Sequence, residues 1–530
     1  MKKKSFVYGA IILGIASIIC KILGAIFRIP LTSLLGLEGI GMYQLVYPIF
    51  ALCLVASTSG IPVAISKIIS REYSGGNYQN IKKIFNNSLK IMILLGVLFS
   101  LLIAGLSTIV SKIQGNSALY ICYLISAPTI LINSIVSCYR GYFQGFEVMK
   151  YSAISQVLEQ LFKLVFGLFF AYLFLKFGVI FGVFGAFFGI FLSNITAFLY
   201  LLIVYKSKKI KIDFSLNSGE IYSKKLAYKI IIKEAFPITI TSIILPLSGV
   251  VDSLIIIKLL SSCGFSSEIS TMLYGLDSGV TASLINLPSV VAISLGISLM
   301  PSISSSFALR NDKDINFKSK LGIKIVWYFT IPCAVLFFFL SKEICYFLYG
   351  NLSSKYFDQL LVVSIMLKIS SFSIIYIALN QILTTILQAL NESYYSFYVL
   401  LLSVILKIIL TIVLVSESSI NIYGLVISDV LTFALASVLN FAKLKTKIKI
   451  RFTFYEILFV PLFGVIVMTS CIILFKIFLL SSLNRLLILL CCTLSFVLYI
   501  LCVILLKGFN AKELNNTKIL NFFKRKKYWR

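Results

Sequence analysis

The sequence consists largely of apolar runs that are long enough to cross a lipid bilayer. Of its 530 residues, 59% are hydrophobic and only 13% are charged. A hydrocarbon core of ~30 Å needs roughly 20 residues of helix. So few charged residues could not cover this much Leu, Ile and Phe in water, which excludes soluble and disordered classes. The sequence therefore predicts an all-α, polytopic membrane protein.

We predict about fourteen transmembrane helices from the lengths of the apolar runs. The N-terminal basic stretch and its apolar run lack a small-residue cleavage site, so we expect a retained first helix and not a signal peptide. The predicted spans are roughly 6–29, 40–66, 88–111, 118–139, 151–175, 178–205, 235–257, 278–305, 323–348, 357–388, 394–415, 420–442, 453–480 and 484–506.

The formal net charge of +29 has a topological explanation. Most of the Lys and Arg residues fall in alternate loops and in the two tails, as the positive-inside rule predicts for cytoplasmic segments. We therefore expect cytoplasmic N- and C-termini, and contact of the basic loops with anionic membrane lipids. No motif or folded basic module favours nucleic acid as a partner.

The residue types limit the chemistry. Histidine is absent and the eleven cysteines lack metal-type spacing, so we expect neither a metal site nor a disulfide framework. No phosphate-binding loop of the GxxxxGK[ST] type occurs, and we expect no ATP site and no catalytic residues. Any Na⁺ or H⁺ coupling must then depend on carboxylates.

Basic loops divide the predicted spans into groups of six, six and two. We expect a lobe boundary at the longest inward loop, and a second basic linker after the twelfth span. The predicted regions are an N-terminal six-helix lobe at 1–205, a basic cytoplasmic linker at 206–228, a C-terminal six-helix lobe at 229–442, a linker with two additional helices at 443–507 and a basic cytoplasmic tail at 508–530.

Two matches between the lobes indicate an internal duplication, as in many transporters. The stretch "GIPVAIS" at Gly60 matches "GISLMPS" at Gly296. A gapless alignment of "YFQGFEVMKYSAISQVLEQLFK" with "ILQALNESYYSFYVLLLSVILK" superposes identical residues, among them Gln144 and Gln388, Tyr151 and Tyr395, Ser152 and Ser396, and Lys163 and Lys407. A parallel duplication predicts a central cleft between the lobes.

Several stretches resemble a known family. "KILGAIFRIPLTSLLGLEGIGMYQLVYPIF", "SGIPVAISKII" and "SAPTILINSIVSCYRGYFQGFEVMKYSAISQVLEQLFK" are similar to the stage V sporulation protein B and polysaccharide-exporter branch of the multidrug/oligosaccharidyl-lipid/polysaccharide superfamily. That branch includes the MurJ-type lipid II flippases. The resemblance implies a V-shaped, two-lobed fold with a cavity that alternately faces the two sides of a bacterial cytoplasmic membrane.

The resemblance also implies a substrate. It is a polyprenyl-diphosphate-linked saccharide, a peptidoglycan or spore-cortex precursor such as lipid II, and cell-wall synthesis proteins are implied as partners. Two extra helices in the MurJ type form a groove for the lipid tail, and the last two spans here occupy the matching place. Those flippases have an arginine in span eight where this chain has Ser283, which loosens the assignment to lipid II.

Four cationic residues inside the spans are the predicted substrate-binding set. An ion at mid-membrane is costly, so each needs a partner or an aqueous cavity. Lys21 and Arg28 lie seven residues apart on one helix face, where they can meet a diphosphate, although Arg28 can also extend to lipid headgroups. Lys163 and its repeat partner Lys407 complete the set.

Three carboxylates are charge-pair or coupling candidates. Glu159 lies four residues before Lys163, and this order predicts an ion pair that either neutralises the helix or acts as a switch against substrate phosphate. Lys407 lacks such an acid, so Asp429 or the substrate is its expected partner. Asp252 and Asp429 are the candidates for Na⁺ or H⁺ coupling, unless Asp252 is solvated near the outer surface.

Three functions remain open at this point. The first is a flippase for a lipid-linked anionic saccharide, driven by membrane potential or a cation gradient. The second is a cation-coupled multidrug antiporter of the same superfamily, for which an acidic, aromatic-lined cavity would be expected. The third is a non-transporting component of a wall-synthesis complex. The excess of cationic over acidic residues within the spans favours the first.

Overall fold

The structure, a computed structural model, describes residues 6–207, 221–349, 357–478 and 485–509, with the side chains of 6–11 and 357–359 left out. These residues are helical almost throughout, which confirms the predicted all-α class. Most of the predicted basic linker at 206–228 and of the tail at 508–530 lies outside the described residues. The helices are α1 (Phe6–Thr58), α2 (Gly60–Ser74), α3 (Tyr78–Ile113), α4 (Tyr120–Gly145), α5 (Met149–Leu175), α6 (Val179–Lys206), α7 (Lys224–Ser262), α8 (Ser267–Gly275), α9 (Ala282–Ile285), α10 (Ser289–Ala308), α11 (Asp312–Phe339), α12 (Ser341–Tyr349), α13 (Phe357–Ala389), α14 (Ser393–Ser416), α15 (Tyr423–Lys447), α16 (Val460–Phe478) and α17 (Arg485–Leu505).

Among the residues that the structure describes, three shorter elements interrupt or precede these helices. A 3₁₀ turn, Ser117–Leu119, precedes α4. A π-helical turn, Leu276–Thr281, joins α8 to α9, and another, Tyr455–Phe459, leads into α16. π-helical turns are rare in proteins, and those that occur often lie at functional sites.

The described residues contain 13 helical segments that are long and apolar enough to span a membrane. The first, Ile12–Ser74, is 63 residues long, which is about 95 Å of helix and roughly three times the hydrocarbon thickness. Gly36 interrupts it with φ 71° and ψ −177°, a conformation that a side chain would strain. The segment therefore holds two of the predicted spans, and the multi-pass class is confirmed.

Side-chain caps define where several helices begin. The Ser223 hydroxyl accepts a hydrogen bond from the Leu226 amide at the start of α7, and Ser266 does the same from Ile269 at α8. Asn311 accepts from the Asp314 amide at α11. Each cap satisfies an amide that lacks a partner in the first helical turn.

The chain forms two compact units. The first comprises Met1–Leu287 and Leu400–Ser428, and the second Pro288–Val399 and Asp429–Arg530. In the first unit, buried residues of α2, α3, α4, α6 and α7 form one apolar core. Inside this core the Asn133 amide donates to the Asn194 side-chain oxygen at 2.6 Å, which joins α4 to α6.

The second unit has two cores. Buried residues of α10, α11, α13 and α15 form one, and a buried Asn440–Asn380 hydrogen bond of 2.7 Å joins α15 to α13 within it. The other core packs α16 and α17 against α11 and α12. The two predicted additional helices are thus part of the second unit. The domain boundaries that we predict from the loops stay a prediction.

The aligned turns of the predicted repeat have the same backbone geometry. Glu147, after α4, has φ 60° and Asn391, after α13, has φ 63°. The amide of Glu147 bonds to the Gln144 carbonyl, and that of Asn391 bonds to the Gln388 carbonyl. The gapless alignment therefore superposes structurally equivalent turns.

Candidate functional site

Two cationic side chains of the first unit approach the same tyrosine. The Arg28 guanidinium lies 5.7 Å and the Lys163 ammonium 5.8 Å from the centre of the Tyr47 ring. Lys163 also lies 5.2 Å from the ring centre of Phe27. Both cations are half-buried. An aromatic face stabilises a nearby cation through its quadrupole without neutralising it, so the positive charge remains available.

A glycine on α5 makes room for one of these rings. Phe27 is 1% exposed, and a Cβ on Gly167 would lie 2.7 Å from its ring carbon Cε2. A larger residue at 167 would therefore displace the ring. The close approach of α1 and α5 is what carries Lys163 over Phe27.

The guanidinium of Arg28 is held by the segment around the π-helical turn. It donates to the Ser283 hydroxyl at 2.7 Å and, more weakly, to the Ser278 carbonyl at 3.4 Å. The Gln44 side chain donates to the same carbonyl at 2.7 Å. Ser283 in turn donates to the Gly279 carbonyl. These bonds fix the guanidinium but bring no negative charge.

Arg28 and Lys163 have no carboxylate partner among the residues that the structure describes. Five donors on arginine suit bidentate recognition of a carboxylate or phosphate, and the lysine ammonium acts as a point charge. In a low-dielectric surrounding the two positive charges repel each other, and an anion placed between them would remove that repulsion. The arrangement fits an anionic ligand.

The predicted pair of Glu159 and Lys163 is wrong. Glu159 instead accepts from the Arg140 guanidinium at 2.7 Å, and both side chains are less than one sixth exposed. Arg140 also donates to the Ser155 hydroxyl at 2.9 Å. The i, i+4 spacing only permits a pair on one helix, whereas the short α4–α5 turn brings a rigid guanidinium closer. Arg140 is thus the partner of Glu159.

Lys407 has a partner in the structure that differs from the two expected ones, which stay predictions. Its ammonium lies 2.9 Å from Oδ2 of Asp252, and the Asp252 side chain is 6% exposed. Asp252 is therefore buried in protein and not solvated near the surface. Lys407 thus carries its own counter-charge, unlike Lys163.

The remaining predicted site residues lie apart from this arrangement. Lys21 is exposed on α1, with no ion pair to a described residue. Asp429 lies on α15 and makes interactions of its own. The roles of Lys21 and Asp429 stay predictions.

Sequence reasoning did not identify Tyr47, Gln44 and Ser278 as parts of the site. Tyr47 directly precedes Pro48 in "GMYQLVYPIF", and an aromatic residue beside a helix-bending proline was the available signal. Gln44 and Ser278 gave no signal, because their contact joins residues that are more than two hundred positions apart.

The second unit contains a cavity of about 230 Å³ next to a buried ion-pair cluster. Glu456, in the π-helical turn before α16, accepts from Lys320 at 2.7 Å and from Lys324 at 3.1 Å. Trp327 and Phe441 are among the mostly apolar residues that line the cavity. The cluster anchors the π-helical turn before α16 to α11.

These features define the class of the protein. The fold is that of a multi-pass, all-helical membrane protein. Residues 6–307 match the profile of the family described as Polysaccharide biosynthesis protein, and the chain belongs to this family.

Individual relatives agree with this assignment. The chain is 26% identical over 445 residues to Stage V sporulation protein B of Bacillus subtilis (strain 168), which covers 83% of this chain and 84% of the relative. It is 26% identical over 424 residues to Lipid II flippase MurJ of the same organism, covering 77% of each. A solved structure of Lipid II flippase MurJ in an inward closed conformation matches with a TM-score of 0.71 at 18% identity, over 94% of this chain and 99% of that one. The resemblance seen in the sequence is confirmed.

Proposed function

We propose that this protein is a flippase that moves a polyprenyl-diphosphate-linked saccharide from the cytoplasmic to the outer leaflet of a bacterial cytoplasmic membrane. Both termini lie in the cytoplasm in this proposal. The observation that carries it is the pair of half-buried cations, Arg28 and Lys163, which lie 5.7 and 5.8 Å from the Tyr47 ring centre and have no carboxylate partner among the described residues. A diphosphate supplies the two adjacent negative charges that such a pair can bind.

The names of two relatives support the proposed substrate class. One is named Lipid II flippase MurJ and another Stage V sporulation protein B, so a peptidoglycan or spore-cortex precursor is the proposed cargo. The two cations bind the diphosphate while the saccharide and the lipid chain remain outside their contact. Lys21, exposed on the same helix as Arg28, is proposed as the first cation that the headgroup meets.

The cation arrangement distinguishes this function from multidrug antiport. A cationic drug would be repelled by Arg28 and Lys163, since no described carboxylate neutralises either of them. Moving one charge across 100 mV is worth ~2.3 kcal/mol, and an anionic headgroup that carries more than one charge can draw on the membrane potential directly.

The test is a leaflet-accessibility assay in proteoliposomes that contain fluorescent lipid II or a related polyprenyl-diphosphate sugar, under an imposed potential. We expect protein-dependent translocation by the wild type. Each charge-assisted hydrogen bond contributes about 1.5–3 kcal/mol, so Arg28→Ala and Lys163→Ala should each slow transport roughly 10- to 100-fold.

Lys150→Ala is the matched control, because Lys150 is an exposed lysine on the same helix as Lys163. It should transport at the wild-type rate. Absence of translocation for every such lipid would refute the flippase proposal. Wild-type rates in both the Arg28 and the Lys163 variants would refute the assigned site alone.

A further inference from the structure

Asp252 and Lys407 form an ion pair inside the first unit. Asp252 lies on α7 and is 5% exposed, while Lys407 lies on α14. The ammonium is 2.9 Å from Oδ2, and the lysine side chain is 18% exposed. The sequence analysis names Asp252 as a carboxylate for Na⁺ or H⁺ coupling. The residue beside Asp252 therefore decides whether the carboxylate can bind such a cation.

The residues around Asp252 do not fit a bound Na⁺. A lysine ammonium carries the same single positive charge as Na⁺, and at 2.9 Å it occupies a lone-pair direction of the carboxylate. A second cation at this carboxylate would lie within a few ångströms of the ammonium, where repulsion between like charges is strong because little water screens it. The ammonium balances the charge of this carboxylate, which weakens the attraction of Asp252 for a second cation.

Other largely buried carboxylates also pair with cationic side chains. Glu159 pairs with Arg140 at 2.7 Å, and Glu343 pairs with Lys476 at 2.9 Å. Glu456 is shared by two lysines. The chain has 48 Lys and Arg residues against 19 Asp and Glu residues, so it has enough cationic side chains to balance its acids without inorganic ions.

We propose that Lys407 is a tethered cation that occupies the position of an inorganic ion at Asp252, so that this protein neither binds nor requires Na⁺ there. Whether Na⁺ binds at Asp252 does not depend on what the protein transports. A second statement, that transport does not need a Na⁺ gradient, does rest on the proposed function.

Asp277 is a second acid near Asp252, and the experiment must distinguish a cation response of one from a response of the other. Tyr274, 2% exposed, is within electrostatic range of Asp252, Asp277 and Lys407. Asp277 is itself buried in the π-helical turn and has interactions of its own. A variant at each acid therefore assigns any cation response to one of them.

The experiment measures the thermal unfolding midpoint of the purified full chain while Na⁺ replaces choline at constant ionic strength. The wild type should show no shift, because a ligand stabilises a protein only if it binds the folded state. Lys407→Gln removes the tethered charge, so its midpoint should be lower in choline and rise with Na⁺. The Na⁺-dependent rise should persist in the double variant Lys407→Gln/Asp277→Asn. It should disappear in the double variant Lys407→Gln/Asp252→Asn.

Two results would overturn the proposal. One is a Na⁺-dependent rise of the wild-type midpoint that Asp252→Asn abolishes, and the other is a folded Lys407→Gln variant that does not respond to Na⁺. If Lys407→Gln does not fold, ²²Na⁺ binding to the wild type decides: no saturable binding that depends on Asp252 supports the proposal, and such binding refutes it. Neither readout uses transport, so failure of the flippase assay leaves this result standing.

Discussion

The α4–α5 segment and the α13–α14 segment have the same turn but give their equivalent lysines different surroundings. In both, a residue with positive φ follows the first helix, and the same backbone hydrogen bonds close the turn. Lys163 of α5 lies over Phe27 and Tyr47. Lys407 of α14 is neutralised by Asp252.

The difference separates a feature that neighbouring residues set, the turn, from a feature that distant helices set, the surroundings of the lysine. The turn is set by residues within a few positions of one another, so a duplication preserves it. The environment of the lysine is set by whichever distant helix packs against it, which is α1 for Lys163 and α7 for Lys407. One copy thus places its lysine over aromatic rings, with no carboxylate partner among the described residues, while the other pairs its lysine with Asp252.

The largest expected effect on stability distinguishes the two lysines. Lys407→Ala leaves Asp252 buried without its cation, which should cost about 3 kcal/mol in the free energy of unfolding. Lys163→Ala loses only cation–π contacts, about 1 kcal/mol. Denaturant unfolding in detergent micelles measures both, with Lys150→Ala as the control near zero. Equal losses for the two lysines would show that the comparison is wrong.

A double-mutant cycle tests the corrected partner of Glu159. Arg140→Ala combined with Glu159→Ala should give a coupling free energy of at least about 1 kcal/mol, since the two side chains share a part-buried ion pair. The cycle for Glu159 and Lys163 should stay below about 0.5 kcal/mol. Unfolding free energies of the single and double variants give both values. Stronger coupling to Lys163 would restore the pairing that helix spacing alone predicts.

The two turns should respond differently to glycine. Glutamate is strained at φ 60°, whereas asparagine adopts the left-handed region more readily. Glu147→Gly should therefore stabilise the protein by about 0.5–1 kcal/mol, and Asn391→Gly by less. Glu147→Asn is the matched control and should recover part of the gain. Destabilisation by Glu147→Gly would mean that the glutamate side chain has contacts that outweigh its strain.

The smallest expected effect is a pH dependence at Glu392 in the second turn. A hydrogen bond from Lys447, followed by one from Lys443, holds the pKa of Glu392 below its usual value. A depressed folded-state pKa means that the contribution to stability is present above the unfolded-state value of about 4.3 and is lost as pH falls through the folded-state pKa.

Glu392→Gln should therefore lower the unfolding midpoint at pH 6 and lose that difference as the pH falls below about 4.3. The equivalent position of the first turn is Val148, which cannot titrate. The midpoint difference between Val148→Ala and the wild type should therefore stay constant over this pH range. The measurement is the midpoint difference between variant and wild type along the pH series. A difference for Glu392→Gln that does not vary with pH would contradict the assigned charge pairing.

Much of the fold was predictable because it depends on local patterns. The apolar runs predicted nearly every helix, including the two helices after the basic linker that became α16 and α17. They did not predict that α1 continues through the stretch between the first two predicted spans, where the helix is interrupted at Gly36. The alignment of Gln144 with Gln388 correctly superposed two equivalent turns.

The sequence by itself determined the membrane class, the helices, the repeat and the set of cations without enough acids to balance them. It identified Arg28, Lys163 and Lys407 as charges that need an explanation. Only the tertiary structure decided that Glu159 belongs to Arg140, that Asp252 belongs to Lys407, and that Arg28 and Lys163 share Tyr47. The physical reason is that helical periodicity relates residues on one helix, whereas an ion pair forms with the nearest opposite charge in space.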